Sequence, residues 1–432
     1  MTEIIQVFTH LILFIFLSSF PVNKIITPGI YIQADKSLFN VFFLNIIFFL
    51  TILLFASFFH VNLQNLFIIL IIFYLFLFFL NFRKIFYNIK KIKIELITIF
   101  FFVNLFYFFN IAYNLKLGWD GLGWITKANN FYLGKNYFYL SDIYAQYPQL
   151  GGYVWAFFWK NSFIEKEYLG RLYYFFLYFT SLFVLVSSFK NLEFSKKVIF
   201  LFLLLIFSYD SSLEGYQEYF IFSLLIFCGK LILLLNYNKN KIYLYIFLIL
   251  ATCLLPWIKN EGYFYSIFIS FLFFLSKQDQ QKKIVFISIV IFNILIQIFF
   301  IKLIFKLDAT LQFSLADQIY DLFFNNIQIL NFAKKISIIM LYAFHGFLKY
   351  PISLLNVFSF ILLIKYRNFF PEYKIFIYFL ILNIFFIFSI YILTPHDLIW
   401  HLQTSIKRLI LQTSGFYFFI FIALYNKKIL KF

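Results

Sequence analysis

A chain of 432 residues that is 63% hydrophobic, 26% aromatic and only 12% charged, with a mean hydropathy of +0.89, cannot fold as a soluble globule. Soluble domains are about half apolar and about a quarter charged, and the apolar surplus here must face lipid. The net charge of +18 does not call for a nucleic-acid partner: the lysines fall mostly in short connections between apolar runs, and a bias to Phe, Ile, Lys, Asn and Tyr is what an A/T-rich coding sequence produces.

Apolar runs of span length lie at 4–22, 38–59, 62–82, 95–114, 168–189, 197–209, 217–236, 242–257, 262–276, 284–305, 351–365, 373–393 and 409–426. Each predicts a helix, because in lipid only hydrogen bonds within the segment satisfy the backbone. Together they predict an all-α polytopic transmembrane bundle of about 11–13 spans. The first run, IIQVFTHLILFIFLSSF, follows Glu3 and no basic segment, so it reads as a span or a membrane-lying helix and not as a signal peptide. Cys228 and Cys253 both fall in apolar runs and have neither a disulfide framework nor metal-ligand spacing.

The connections at 83–93, 190–197, 236–241, 277–283 and 365–374 and the tail NKKILKF are short and rich in lysine. The positive-inside rule makes all of them cytoplasmic, which puts the N-terminus outside. The segments 115–167, 209–216, 257–261, 306–350 and 394–408 are then extracytoplasmic, and they carry almost every unusual polar residue. The two longest are rich in aromatic residues and predict short helices lying on the membrane surface.

Four stretches in these segments carry chemistry. In GWDGLGWITKA, Asp120 stands at a membrane boundary, where an acid loses hydration and needs a purpose or a partner. Lys127 follows about two helical turns later on the same face. The simpler alternative is an acid capping that helix. In YDSSLEGYQEYF, Asp210, Glu214 and Glu218 are spaced at i, i+4 and i+8. These acids repel unless a cation lies between them, or else they decorate a solvated turn and a helix N-terminus. In LLPWIKNEGYF, Lys259 and Glu261 form either a local salt bridge or part of a larger site. In TPHDLIWHLQTSIKRL, His396 and His401 are five apart, which is not the spacing of a helical zinc pair. Lys407 and Arg408 stand at the start of the last apolar run, where Arg408 is either a phosphate clamp or a snorkelling anchor.

In this order the four stretches resemble the membrane glycosyltransferases of the GT-C superfamily, in particular bacterial members related to protein mannosyltransferases and lipopolysaccharide-core transferases. WDGLGWITKANNFY and YPQLGGYVW are similar to that family's W-D and Y-P-x-L elements, GYQEYFIF to its G-Y-x-D/E element, and KNEGYF to its K-x-E-G element. TPHDLIWHLQTSIKRL is similar to its terminal element almost throughout. The chain departs from the family in AQYP, where His or Asp often precedes Y-P, and in Glu218, where Asp is commoner. The resemblance covers roughly 95–420, which makes 95–426 the expected catalytic transmembrane domain and 1–94 additional N-terminal helices.

The resemblance implies a multi-pass enzyme of the bacterial cytoplasmic membrane with its active face outside. It implies transfer of a monosaccharide, with inversion, from a polyprenyl-phosphate carrier to an extracytoplasmic glycolipid, glycan or protein. Asp120 is the expected general base. Lys127, Tyr147, Glu218, Lys259, Glu261, His396, His401, Lys407 and Arg408 are the expected substrate-binding residues, with Arg408 first choice for the carrier phosphate. No cofactor is required by this chemistry, and a divalent cation is compatible with it. Two other classes stay open: an O-antigen-type polymerase or ligase, and a lipid-linked sugar transporter or flippase, which would spread charges through the bilayer and not gather them on one face.

Overall fold

The computed structural model describes residues 2–19, 39–89, 94–114, 117–140, 147–189, 192–208, 217–237, 242–300, 326–349, 351–366, 374–393 and 397–426. All regular structure in them is helical. In chain order the helices are α1 (Thr2–Ser19), α2 (Phe39–Ser57), α3 (Leu63–Ile89), α4 (Ile94–Asn114), α5 (Trp119–Tyr132), α6 (Leu150–Lys160), α7 (Glu167–Ser187) and α8 (Phe194–Ser208). They continue with α9 (Glu218–Tyr237), α10 (Ile242–Leu254), α11 (Glu261–Leu275), α12 (Gln280–Phe299), α13 (Asn326–Lys349), α14 (Pro351–Lys365), α15 (Lys374–Ile392) and α16 (Leu398–Asn426). Two 3-10 turns, Tyr137–Tyr139 and Leu255–Trp257, join them.

Among the described residues, five helices are long and apolar enough to cross a membrane: α3, α4, α7, α9 and α12. Shorter apolar stretches lie in α1, α2, α10, α11, α14 and α15. The protein is therefore an all-helical, polytopic membrane protein. The predicted runs fall on these helices, with two differences. The run at 242–257 ends in a 3-10 turn, because Pro256 cannot continue the helical ladder. The last helix begins at Leu398 instead of 409.

The chain forms two compact units, Met1–Leu201 with Asp210–Ser266, and Phe202–Tyr209 with Ile267–Phe432. In the first, α7 is buried along its length and α9 nearly so, whereas α3 and α4 expose most of their side chains. A helix that is apolar all round belongs in the middle of a bundle, and α7 packs against α1, α2, α4, α6 and α9. Its rings fill the gaps: Tyr173 stacks on Phe158 at 4.7 Å, and Phe14 meets both Phe158 and Tyr173 edge-on.

One group of this unit's polar contacts lies around the start of α7, whereas Lys230 Nζ donates to Ser188 Oγ at 2.7 Å just past its other end. Lys166 pairs with Glu3, and Gln6 donates to the Ile164 carbonyl, so the N-terminus of α1 lies beside the start of α7. Gln149 donates to Ser57 Oγ and Asn161 to the Leu63 carbonyl, which brings the α2–α3 connection to the same place. The helix α6 differs from the expectation of a surface-lying segment: Leu150 to Phe158 are buried without a break. Its sequence is apolar on every face, so it serves as core.

In the second unit, α14, α15 and α16 pack on one another and on α13. Phe416 stacks on Phe379 at 4.1 Å and meets Phe376 edge-on.

Candidate functional site

Helix α5 starts at Trp119, and its cap position is Gly118 in extended backbone (φ −71°, ψ 165°). Asp120 is thus the second residue of the helix and not its cap. The first turn is where the helix dipole favours an acid. Position 127 shares the face of position 120 about two turns later. The Asp120 side chain lies outside the described residues.

Lys127 is buried. Its Nζ donates to the Tyr147 carbonyl and lies 5.9 Å from the Trp124 ring, which in turn meets the Tyr147 ring edge-on at 5.6 Å. The W-D and Y-P stretches are therefore joined by a buried lysine amine and an aromatic pair. Burial pushes the Lys127 amine down to about 7. Glycine sets how closely α6 approaches: a Cβ on Gly152 would lie 3.3 Å from Lys127 Cγ.

The second and third stretches meet in a triad. Glu218 opens α9 and Glu261 opens α11, both in first turns that suit an acid. Lys259 Nζ reaches Glu218 Oε1 at 2.8 Å and Glu261 Oε1 at 3.0 Å. Glu218 is 1% exposed and Lys259 8%. The local salt bridge expected for Lys259 and Glu261 forms, and the same ammonium also holds an acid 41 residues upstream. The shared cation is what lets Glu218 be buried beside the half-buried Glu261.

Two further contacts bind these halves. Gln217 Oε1 fills the space beside Gly151, where a Cβ would lie 1.7 Å from it. Gln217 Nε2 donates to the Tyr174 hydroxyl at 2.8 Å, and that hydroxyl donates to the Gly151 carbonyl at 2.8 Å. The residue next to Glu218 is thereby locked to the start of α6. On the other side, the Trp257 ring meets Phe58 at 5.2 Å and Tyr137 at 6.1 Å. Gly262 has no room for a Cβ, which would stand 2.0 Å from the Leu255 carbonyl oxygen. Three of the four stretches thus converge in the first unit, through the Lys127–Tyr147, Gly151–Gln217 and Glu218–Lys259 contacts.

The fourth stretch lies on the second unit. Asp397 Oδ1 accepts from the Trp400 amide at 2.8 Å and caps α16. The His401 ring packs edge-on against Tyr391 at 5.0 Å, and Tyr391 hydrogen-bonds Ser405 Oγ at 2.8 Å. Lys407 and Arg408 are half-buried, and Arg408 Nε donates to the Thr404 carbonyl at 3.1 Å. Because α16 begins at Leu398, Arg408 lies about three turns inside the helix instead of opening it. His396, Asp210 and Glu214 lie outside the described residues.

Gln217, Tyr174 and the two glycines of LGG were not singled out by sequence. Gln217 was legible as the neighbour of Glu218, whereas Tyr174 sits in an apolar run with nothing local to mark it. Among the described residues, no group of three or more His, Cys, Asp and Glu side chains is placed to hold a metal ion. Compared with known proteins, the chain matches no family model, no curated protein and no solved structure.

Proposed function

We propose that the protein is an integral-membrane glycosyltransferase of the GT-C type, taking a monosaccharide from a polyprenyl-phosphate carrier and passing it to an extracytoplasmic glycolipid, glycan or protein. The observation that supports this best is the convergence of the W-D, Y-P-x-L, G-Y-x-E and K-x-E-G stretches. They are scattered over more than a hundred residues of chain, yet a buried triad and a Gly151–Gln217 contact join them within one unit. The lysine-rich connections are then cytoplasmic and these stretches extracytoplasmic, in a bacterial cytoplasmic membrane. The helices beyond the five full-length spans complete a bundle of about 11–13 crossings.

In this reading Asp120 accepts the proton as an acceptor hydroxyl attacks the anomeric carbon. The new carbon–oxygen bond forms as the bond to the carrier phosphate breaks, and the phosphate leaves with the electron pair. A single displacement inverts the anomeric centre. The leaving phosphate needs cationic stabilisation and no acid, the role that the family resemblance gives to Arg408, Lys407, His401 and His396. Lys127 and Tyr147 shape the approach to Asp120. The Glu218–Lys259–Glu261 triad positions substrate hydroxyls and carries a net negative charge.

The test is transfer by purified protein in detergent from a panel of synthetic short-chain polyprenyl-phosphate sugars. Wild type should turn over at least one donor, and Asp120→Asn should bind it with unchanged affinity and fail to transfer. Equal turnover by Asp120→Asn would remove Asp120 as the base.

A further inference from the structure

The connection between α6 and α7 reads NSFIEK, residues 161–166, with two apolar side chains among polar ones. The polar residues fix the loop to its surroundings. Asn161 Nδ2 donates to the Phe157 carbonyl at 2.7 Å and reaches the Leu63 carbonyl, at the start of α3, at 3.3 Å. The Ile164 carbonyl accepts from the Lys166 amide at 2.6 Å and from Gln6 Nε2 of α1 at 3.2 Å. Lys166 pairs with Glu3, and Glu165 pairs with Lys160 and accepts from the Tyr132 hydroxyl at the end of α5. The Tyr132 ring stacks on Trp159 at 4.4 Å, and Lys160 Nζ lies 4.2 Å from it.

The two apolar side chains stay outside. Phe163 is 86% exposed, more than any other large apolar side chain among the described residues, and Ile164 is 40% exposed. A lone apolar residue on a surface needs no explanation. Here two adjacent ones stand on a loop tied to α1, α3, α5 and α6, and position says what covers them. The loop opens α7 and touches the start of α3, both long and apolar enough to cross a membrane. It therefore lies at a bilayer boundary. The helices on which it rests present apolar faces: α1 exposes Ile4, Ile5, Phe8 and Ile12, and α3 exposes Ile68, Ile69 and Ile72. The stacked Tyr132 and Trp159 are residue types that settle at headgroup depth.

We propose that Phe163 and Ile164 insert into the leaflet at this boundary and anchor the α6–α7 loop in lipid. The partner is the apolar region beneath the headgroups and not headgroup charge. The loop's charges are paired in opposite signs, Lys160 with Glu165 and Lys166 with Glu3, and leave no excess to attract anionic lipid. The anchor fixes the depth of α6, whose other end makes the Gly151–Gln217 contact about 14 Å along the helix. It rests on the span assignment and holds whatever the protein transfers.

The test places a thiol-linked, environment-sensitive fluorophore on Phe163→Cys in the whole protein, reconstituted in phosphatidylcholine vesicles. Wild type, with Cys228 and Cys253, is the blank. The same label on Lys135→Cys, in the exposed turn after α5, is the water-facing reference. Lipid carrying a nitroxide near the top of its acyl chains should quench the label at 163 and not the one at 135, and iodide should do the reverse. Replacing part of the phosphatidylcholine by phosphatidylglycerol should leave quenching at 163 unchanged. Iodide quenching at 163 as strong as at 135 would overturn the proposal. Protection from both quenchers would overturn it too, by putting a second copy of the chain on the loop, as would nitroxide quenching that needs phosphatidylglycerol. The bonds that hold the loop are made by other residues, so Phe163→Cys should fold; if it does not, Ile164→Cys is read in the same way.

Discussion

Lys259 is the residue on which the candidate site turns, because it pairs with both the buried Glu218 and the half-buried Glu261. Removing one partner of a buried ion pair costs about 3–5 kcal/mol, mostly because the other charge is stranded. Lys259→Met should therefore destabilise the fold more than Glu218→Gln, which leaves Lys259 with Glu261. The double variant should cost less than the sum of the two, with a coupling on the order of 0.5–3 kcal/mol. Thermal unfolding in detergent checks this, and strict additivity would show that the pair is not coupled. Lys127 makes a pH-dependent prediction. Its folded pKa of about 7 lies below the ordinary 10.5, so between those values the unfolded chain binds the extra proton and stability rises with pH, by about 1.4 kcal/mol per unit. Wild type should gain stability relative to Lys127→Met from pH 7 to 9; a flat difference would mean that the amine stays charged in the fold.

At the scale of elements, two glycines set how closely α6 and α11 approach their neighbours, and they should behave differently. In Gly151→Ala the new methyl meets the far end of the Gln217 side chain, at 1.7 Å. Overpacking of this kind costs about 1–3 kcal/mol, and shortening the obstacle with Gln217→Ala should recover part of the loss. In Gly262→Ala the methyl meets the Leu255 backbone, at 2.0 Å, and no side-chain change nearby should rescue it. Melting curves of the three single variants and the Gly151→Ala/Gln217→Ala pair separate the cases. The helices themselves were legible because a hydrophobic run in lipid has one way to satisfy its backbone. The fate of α6 was not: LGGYVWAFFWK reads equally as an interfacial helix or as core, and only the packing of α5 and α7 on it decides. The start of α16 was missed for a related reason. Its first three turns carry His401, Lys407 and Arg408, so hydropathy breaks off while the hydrogen-bond ladder continues from the Asp397 cap.

For the whole molecule, lysine placement predicts that the segments 115–167 and 236–241 face opposite sides of the membrane. Cysteine introduced at Lys135, which is exposed, and at Lys239 should be labelled by an impermeant thiol reagent from opposite sides; labelling from the same side would break the single-active-face argument. The sequence made the pairing of Glu218 with a cation foreseeable, since acids so close together need one. It did not say which cation, because Lys259, just beyond α10, is brought to Glu218 by the packing of α9 against α10. Sugar transfer from a lipid carrier with Asp120 as base is tested by mass-spectrometric profiling of carrier-linked sugars and surface glycans in cells lacking the protein, complemented with wild type or with Asp120→Asn at equal expression. The deletion should show an acceptor short of one sugar and an accumulated carrier-linked donor, restored by wild type and not by Asp120→Asn. An unchanged glycan and lipid profile in the deletion, or full restoration by Asp120→Asn, would contradict it.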